Sequence, residues 1–338
     1  IISAYEIRIG QDFKTASERL GQIRERIESD PVMKRCGHQT ALLGSIMLHQ
    51  IDTCVAGDLG PSAIVGPSTK QTPDSWPHLV AAEACAAKGA YDQGKYENAA
   101  EHVSEIVCQM QGRLSASSHP MERRLLKRVE TMGRIVRGGI HSNKTDLTKA
   151  LDDLASGIID SEEDYDRQMQ ALAYYTLGRV LVYHARKLAL CSDGSLTFEN
   201  AMDAVVHEAK RHLEETRQGK NRSDPDRLDE AARNPVELCI DPFRIAWGLA
   251  EDHDVWLRAL ILYQKGRVEI ELRNFHIAER YLVESFSLAG LSHLFRHKRD
   301  VAVELARCWT LRESQRPPQD RLQKIWSRAN GESPDNAN

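Results

Sequence analysis

A large apolar residue, an alanine three positions on and a branched aliphatic residue four positions beyond that recur five times along the chain. The copies are Phe13-Ala16-Leu20, Tyr96-Ala99-Val103, Leu147-Ala150-Leu154, Phe198-Ala201-Val205 and Phe275-Ala278-Leu282. Offsets of three and four put all three side chains on one stripe of an α-helix, and the small middle residue lets a neighbouring helix come close. Each copy therefore predicts a packed helix, the second of a pair. A further pattern lies inside other apolar-periodic helices: Gly133-Arg134-Ile135, Gly178-Arg179-Val180 and Gly266-Arg267-Val268. Glycine costs about 1 kcal/mol relative to alanine in a helix interior. Its recurrence predicts sites where only a hydrogen fits against a partner helix. Gly266 and Ala278 are twelve positions apart, and Ala87 and Ala99 repeat that spacing.

These residues resemble a known family. The segment Leu262 to Gly290 is similar to one tetratricopeptide repeat (TPR), with Leu262, Gly266, Phe275, Ala278 and Leu282 on the helix A and helix B positions, and Tyr174, Leu177 and Gly178 match helix A of another. The chain departs from the family in two ways. Loops around Ser142 and from Cys191 to Thr197 are expected to lengthen the step from helix A to helix B, and the alanine late in helix B is replaced by Ile106, Gly157, Glu208 and Ser285. The resemblance implies an all-α fold, a right-handed α-solenoid of antiparallel TPR-like helical hairpins with irregular loop insertions. It says little about function. In such repeats the residue after the small helix A position points into the concave groove, which selects Lys88, Arg134, Arg179 and Arg267, with Tyr91, Tyr175, Tyr183 and Tyr263 at neighbouring groove positions. Four cations would favour a ligand bearing carboxylates or phosphates, and the tyrosines would add stacking and cation-π contacts. The competing reading makes them solvated helix cations paired with acids such as Glu130 and Glu271.

The expected organisation follows from punctuation between periodic segments. Residues 1–56 hold the first helices of the array, one near Gln39 to Val55, and the position of the first copy predicts that the array extends upstream of Ile1. A Gly-, Pro-, Ser- and Thr-rich flexible loop occupies 57–77, long enough to be unusual between packed elements. Helical pairs fill 78–217, over Pro77–Gln111, Pro120–Gly157 and Tyr165–Thr216, the last opened by the acidic run Asp160 to Asp166. A charged, Pro-interrupted insertion spans 218–241, with short helices near Pro235 and Pro242. Residues 242–330 carry the pair Trp256–Gly290 and capping helices at Ser292–Arg312 and Pro318–Arg328; 331–338 read as a disordered tail.

Composition narrows the chemistry. With 28% charged and 6% aromatic residues and a mean hydropathy of -0.48, the chain suits thin helical layers better than a thick sheet core. A net charge of -4 supplies no global field toward nucleic acid or anionic membrane. Seven scattered cysteines with no C-x-x-C pair read as reduced thiols and point to a cytoplasmic setting. No metal, cofactor or catalytic residue is assigned. His207 and His212 are five apart, where two ligands on one helical face need four, and His293 and His297 have the right spacing but lie among Arg296, Lys298 and Arg299, so both pairs read as solvated. The sequence thus predicts a non-catalytic sensor or scaffold module that holds a protein partner, an acidic extended segment, in a basic groove. Two alternatives stand beside it: a nucleic-acid contact through the basic helices 122–128 and 295–299, and an enzyme with dispersed site residues.

Overall fold

The computed structural model describes residues 21–23, 25, 26, 29, 76–117, 120–144, 146–192, 195–221, 241–250, 254–291 and 295–313; among them every regular element is an α-helix and no strand occurs. The Phe13 copy of the pattern, the helix near Gln39 to Val55, nearly all of the 57–77 loop, most of the 218–241 insertion, the helix Pro318–Arg328 and the 331–338 tail lie outside the described residues.

The described residues from 21 to 29 are helical, and from Trp76 onward ten helices follow one another: α1 (Trp76–Asp92), α2 (Tyr96–Ala116), α3 (Pro120–Asn143), α4 (Leu147–Glu163), α5 (Arg167–Cys191), α6 (Phe198–Asn221), α7 (Pro242–Leu249), α8 (Val255–Glu271), α9 (Phe275–Leu291) and α10 (Phe295–Glu313). Aspartates start four of them. Asp146, Asp166, Asp241 and Asp254 each accept a hydrogen bond from a backbone N–H of the first turn, and Pro242 follows Asp241 at the first position of α7, where its missing N–H is harmless. The acidic run before α5 divides accordingly: Asp166 caps α5, while Asp160 and Glu163 close α4.

The chain forms two compact units, Ile1–Tyr165 and Asp166–Asn338. In the first, α2 packs on α1 and α3, and α3 packs on α4. In the second, α5 packs on α6 and α7, α9 packs on α8 and α10, and α8 also touches α5, α7 and α10.

The alanines of the repeat pattern sit at the closest packing points: Ala99, Ala150, Ala201 and Ala278 are all 0% exposed. At Ala150 and Ala278 a glycine on the facing helix explains why. A Cβ added at Gly266 would lie 2.6 Å from Leu282 Cγ and 3.3 Å from the Ala278 carbonyl oxygen, and one at Gly138 would lie 2.8 Å from Leu154 Cγ and 3.0 Å from the Ala150 carbonyl oxygen. The same two contacts are thus made twice, 128 positions apart. The helices agree, since α9 begins and ends 128 residues after α4. Late in the second helix the correspondence continues: a Cβ on Gly157 would come 3.8 Å from the Thr131 carbonyl oxygen, and 128 positions on Ser285 Oγ donates to the Ala259 carbonyl oxygen at 2.7 Å. Three connections close with one backbone hydrogen bond of a single type, from Lys95 to Ala90, Asp146 to His141 and Asn274 to Glu269.

This register corrects two expectations. Gly138, not Gly133, is the glycine twelve positions before Ala150, and the loop expected around Ser142 is absent because α3 continues through Asn143 with Ser142 buried in it. Gly133 and Gly178 do mark close approaches, but to other helices. An added Cβ would meet Val107 on α2 at 2.8 Å in the first case and the Phe243 ring on α7 at 2.6 Å in the second. The break from Ser192 to Thr197 between α5 and α6 is where the sequence places it.

Candidate functional site

The eight residues expected to line a groove divide between the two units. In the first, Lys88 pairs with Asp92 one turn on at 2.6 Å, and Tyr91 accepts a hydrogen bond from Asn143 Nδ2 at 2.9 Å with its ring 5.3 Å edge-on to Tyr96. Arg134 donates to Glu130 at 2.7 Å and lies 3.9 Å from Asp160 on α4, while Gln111 on α2 donates to the same Glu130 oxygen. Arg134 therefore sits in the seam between α2 and α4, not one residue after the small position, which the Gly138 register gives to Gly139. One turn on, Arg137 fills that seam too, with a two-pronged bond to Asp153 and a contact to Ser104. The Asp153 hydrogen bond raises the Arg137 pKa above the usual guanidinium value. His141, 3.8 Å from Asp153, is held below the ordinary imidazole value by burial.

In the second unit Tyr175 is buried, its ring 6.4 Å from Phe243, and belongs to the core beneath α7. Tyr263 is half-buried. Its ring lies 5.1 Å edge-on to His297 and under the Arg267 guanidinium at 5.5 Å, and burial pushes its hydroxyl up to about 12. Tyr183 is 40% exposed and stands edge-on to His184. Arg179 makes no hydrogen bond or ion pair among the described residues.

Around Arg267 the structure gathers Arg186, Arg307 and Glu304, which no sequence motif marks, together with Glu271, the acid expected to pair with helix cations. Arg186 on α5 and Arg307 on α10 both reach Glu271 on α8, at 3.0 and 2.8 Å. Arg307 also lies 3.2 Å from Glu304, and Arg267 lies 3.3 Å from the other oxygen of Glu304. Three helices thus place three guanidiniums around two carboxylates. The compensation is uneven. Arg307 has two carboxylates, which outweigh burial and raise its pKa, whereas burial and the charges of Arg267 and Arg307 hold the Arg186 pKa below the guanidinium norm despite Glu271. Arg267 Nε is buried and makes no hydrogen bond, because its N–H is not aimed at the nearby Glu304 oxygen. Arg179, Tyr183 and Arg186 follow one another at spacings of four and three, one stripe of α5. That stripe was legible in the sequence; that α8 and α10 lie beside it was not.

His297 is buried, not solvated as its basic neighbours suggest. Its Nε2 lies 3.2 Å from Ser285 Oγ, and since that hydroxyl donates to the Ala259 carbonyl, the imidazole N–H is the donor to the hydroxyl. Burial drives its pKa down to about 4. His212 is buried with Nε2 3.2 Å from Glu208, His207 is exposed, and His293 lies outside the described residues. Among the described residues no three His, Cys, Asp or Glu side chains converge on a common point, and no helix is long and apolar enough to cross a membrane. Of the two basic segments, Arg123 and Arg124 on α3 are exposed, whereas Lys127 is engaged by Glu163 and Asp164. Comparison with protein-family models, curated proteins and solved structures finds no match to this chain.

Proposed function

We propose that the chain is a non-catalytic scaffold or sensor module, an α-solenoid of TPR-like hairpins, and that the face shared by α5, α8 and α10 holds an acidic extended segment of a protein partner. The single observation that carries this reading is the charge on that face. Arg186, Arg267 and Arg307 stand against Glu271 and Glu304, Asp300 acts on the neighbouring Tyr263, and Arg179 is unengaged among the described residues, with Tyr183 exposed one turn on along α5. Guanidiniums pair with carboxylates in a planar, two-pronged geometry, and an exposed tyrosine between two arginines gives an extended chain a surface to lie on. The repeat architecture is supported by the three equivalent turns and the twice-made glycine contacts, because packing that recurs at fixed offsets is what stacking of like units requires.

Fluorescence anisotropy with a labelled Asp- and Glu-rich peptide tests the proposal. Arg179→Glu with Arg267→Glu should weaken binding at least tenfold while circular dichroism stays unchanged. Arg123→Glu with Arg124→Glu, in the other unit, should leave the affinity as it was. Equal weakening by both pairs would reduce the interaction to general electrostatics and remove the assignment.

A further inference from the structure

The Arg186, Arg267 and Arg307 cluster carries a more specific inference, which rests on the α5–α8–α10 reading above. Two carboxylates bridge these three guanidiniums only pairwise: Glu271 joins Arg186 to Arg307, and Glu304 joins Arg307 to Arg267. These three guanidiniums and two carboxylates carry one positive charge in excess, and Asp300 is a further acid close to Tyr263. Two guanidiniums keep unused donors, since Arg186 has a single carboxylate that it shares, and Arg267, whose Nη1 donates to Gln264 Oε1 at 3.2 Å, has a buried Nε that makes no hydrogen bond. A partner carboxylate, with two oxygens, can engage one or two of these guanidiniums but cannot span all three. A phosphate is different, having three equivalent acceptor oxygens and a charge of about -1.5 to -2 at neutral pH as a monoester.

We infer that this cluster is a phosphate-binding site, in which the phosphate group of a monoester bridges Arg186, Arg267 and Arg307 and competes with Glu271 for the first and last of them. Arg179, two helical turns before Arg186 on the same stripe, lies where it would meet the charge of residues flanking the phosphate. The shared chemistry is the phosphomonoester; its source is a phosphorylated side chain of the partner segment or a free phosphorylated small molecule.

Competition with Glu271 makes the test signed. Inorganic phosphate is titrated into the intact chain at constant ionic strength, with chloride as the balancing salt, and binding is read from the thermal midpoint. Arg186→Gln should weaken phosphate binding by about tenfold or more, the loss of a charge-assisted contact. Glu271→Gln should strengthen it, because it removes a competing anion. A peptide carrying one phosphoserine in an acidic context, compared with its unphosphorylated twin, identifies the source. Tighter binding of the phosphopeptide places the phosphate on a protein segment, while equal peptide affinities with inorganic phosphate still bound place it on a small molecule. No phosphate effect in the wild type, or an Arg186→Gln chain with intact helix content and unchanged phosphate affinity, overturns the site. Loss of the phosphate effect with the acidic peptide still held leaves the scaffold reading standing, and phosphate binding without peptide binding does the reverse.

Discussion

Replacing Gly266 by alanine separates packing from helix propensity, the two effects a glycine in a helix combines. Taken alone, a glycine to alanine change inside a helix stabilises by about 1 kcal/mol. At Gly112 on α2, where an added Cβ meets nothing within 4 Å, that gain should appear nearly undiminished. At Gly266 the Cβ would stand 2.6 Å from Leu282 Cγ, 2.8 Å from its Cδ2 and 3.3 Å from the Ala278 carbonyl oxygen. Leu282 is itself 0% exposed and packed in a cluster with Val301, Leu305 and Trp309, so it has no free space into which to retreat. Overpacking of this kind costs about 1–3 kcal/mol. Because both substitutions carry the same propensity gain, their difference in unfolding free energy isolates the steric part. Urea denaturation followed by far-UV circular dichroism should find Gly266→Ala less stable than Gly112→Ala by about that amount. A Leu282→Ala background supplies the control: the added methyl then enters vacated space, and the Gly266 penalty should shrink or reverse. Equal stabilisation by the two alanines would refute the claim that α8 and α9 meet at this glycine.

Other outcomes follow from the same packing. Gly178→Ala would drive a Cβ into the Phe243 ring and displace α7, which should shift the fluorescence of Trp247, the indole lying 4.2 Å under the Arg258 guanidinium; an unchanged spectrum contradicts the placement of α7. Asp153→Ala strips Arg137 of its carboxylate between α2 and α4 and should destabilise the first unit by roughly 3 kcal/mol, whereas Arg137→Met with Asp153→Leu should recover most of it; a near-neutral single substitution would mean the pair is hydrated. His297, with its pKa pushed down to about 4, is neutral in the folded chain at pH values where the unfolded chain, near 6.5, takes up a proton. Its contribution is therefore complete above pH 6.5 and is lost as the pH falls toward 4, by about 3 kcal/mol at about 1.4 kcal/mol per pH unit. The wild type should lose more stability than His297→Gln across that interval, and parallel pH profiles would show that the imidazole is not desolvated.

The all-helical fold was legible because apolar residues at offsets of three and four fix a helical stripe locally, and alanine or glycine at its centre advertises close approach. Which glycine serves which neighbour was not. Gly133 and Gly138 lie on one helix, and both are crowded, one by Val107 and the other by Leu154; the twelve-residue spacing to Ala150 favours Gly138, but the neighbour of Gly133 is set by how α2 packs on α3. The same slip of register moved Arg134 out of the expected groove and into the α2–α4 seam. Tyr175 was misplaced for a different reason, since the short helix α7, separated from it by more than sixty residues, covers it. Arg186 and Arg307 are not legible as a pair, because in the sequence each looks like an ordinary helix cation and only the fold brings both to Glu271 on a third helix.

Photo-crosslinking of an acidic peptide to the intact chain, with the attachment sites mapped by mass spectrometry, locates the partner segment on the helices. Attachment confined to Arg167–Cys191, Val255–Glu271 and Phe295–Glu313, and lost on Arg179→Glu with Arg267→Glu, is the predicted result. Attachment spread over α3 and α6, or unchanged by that double reversal, would contradict it.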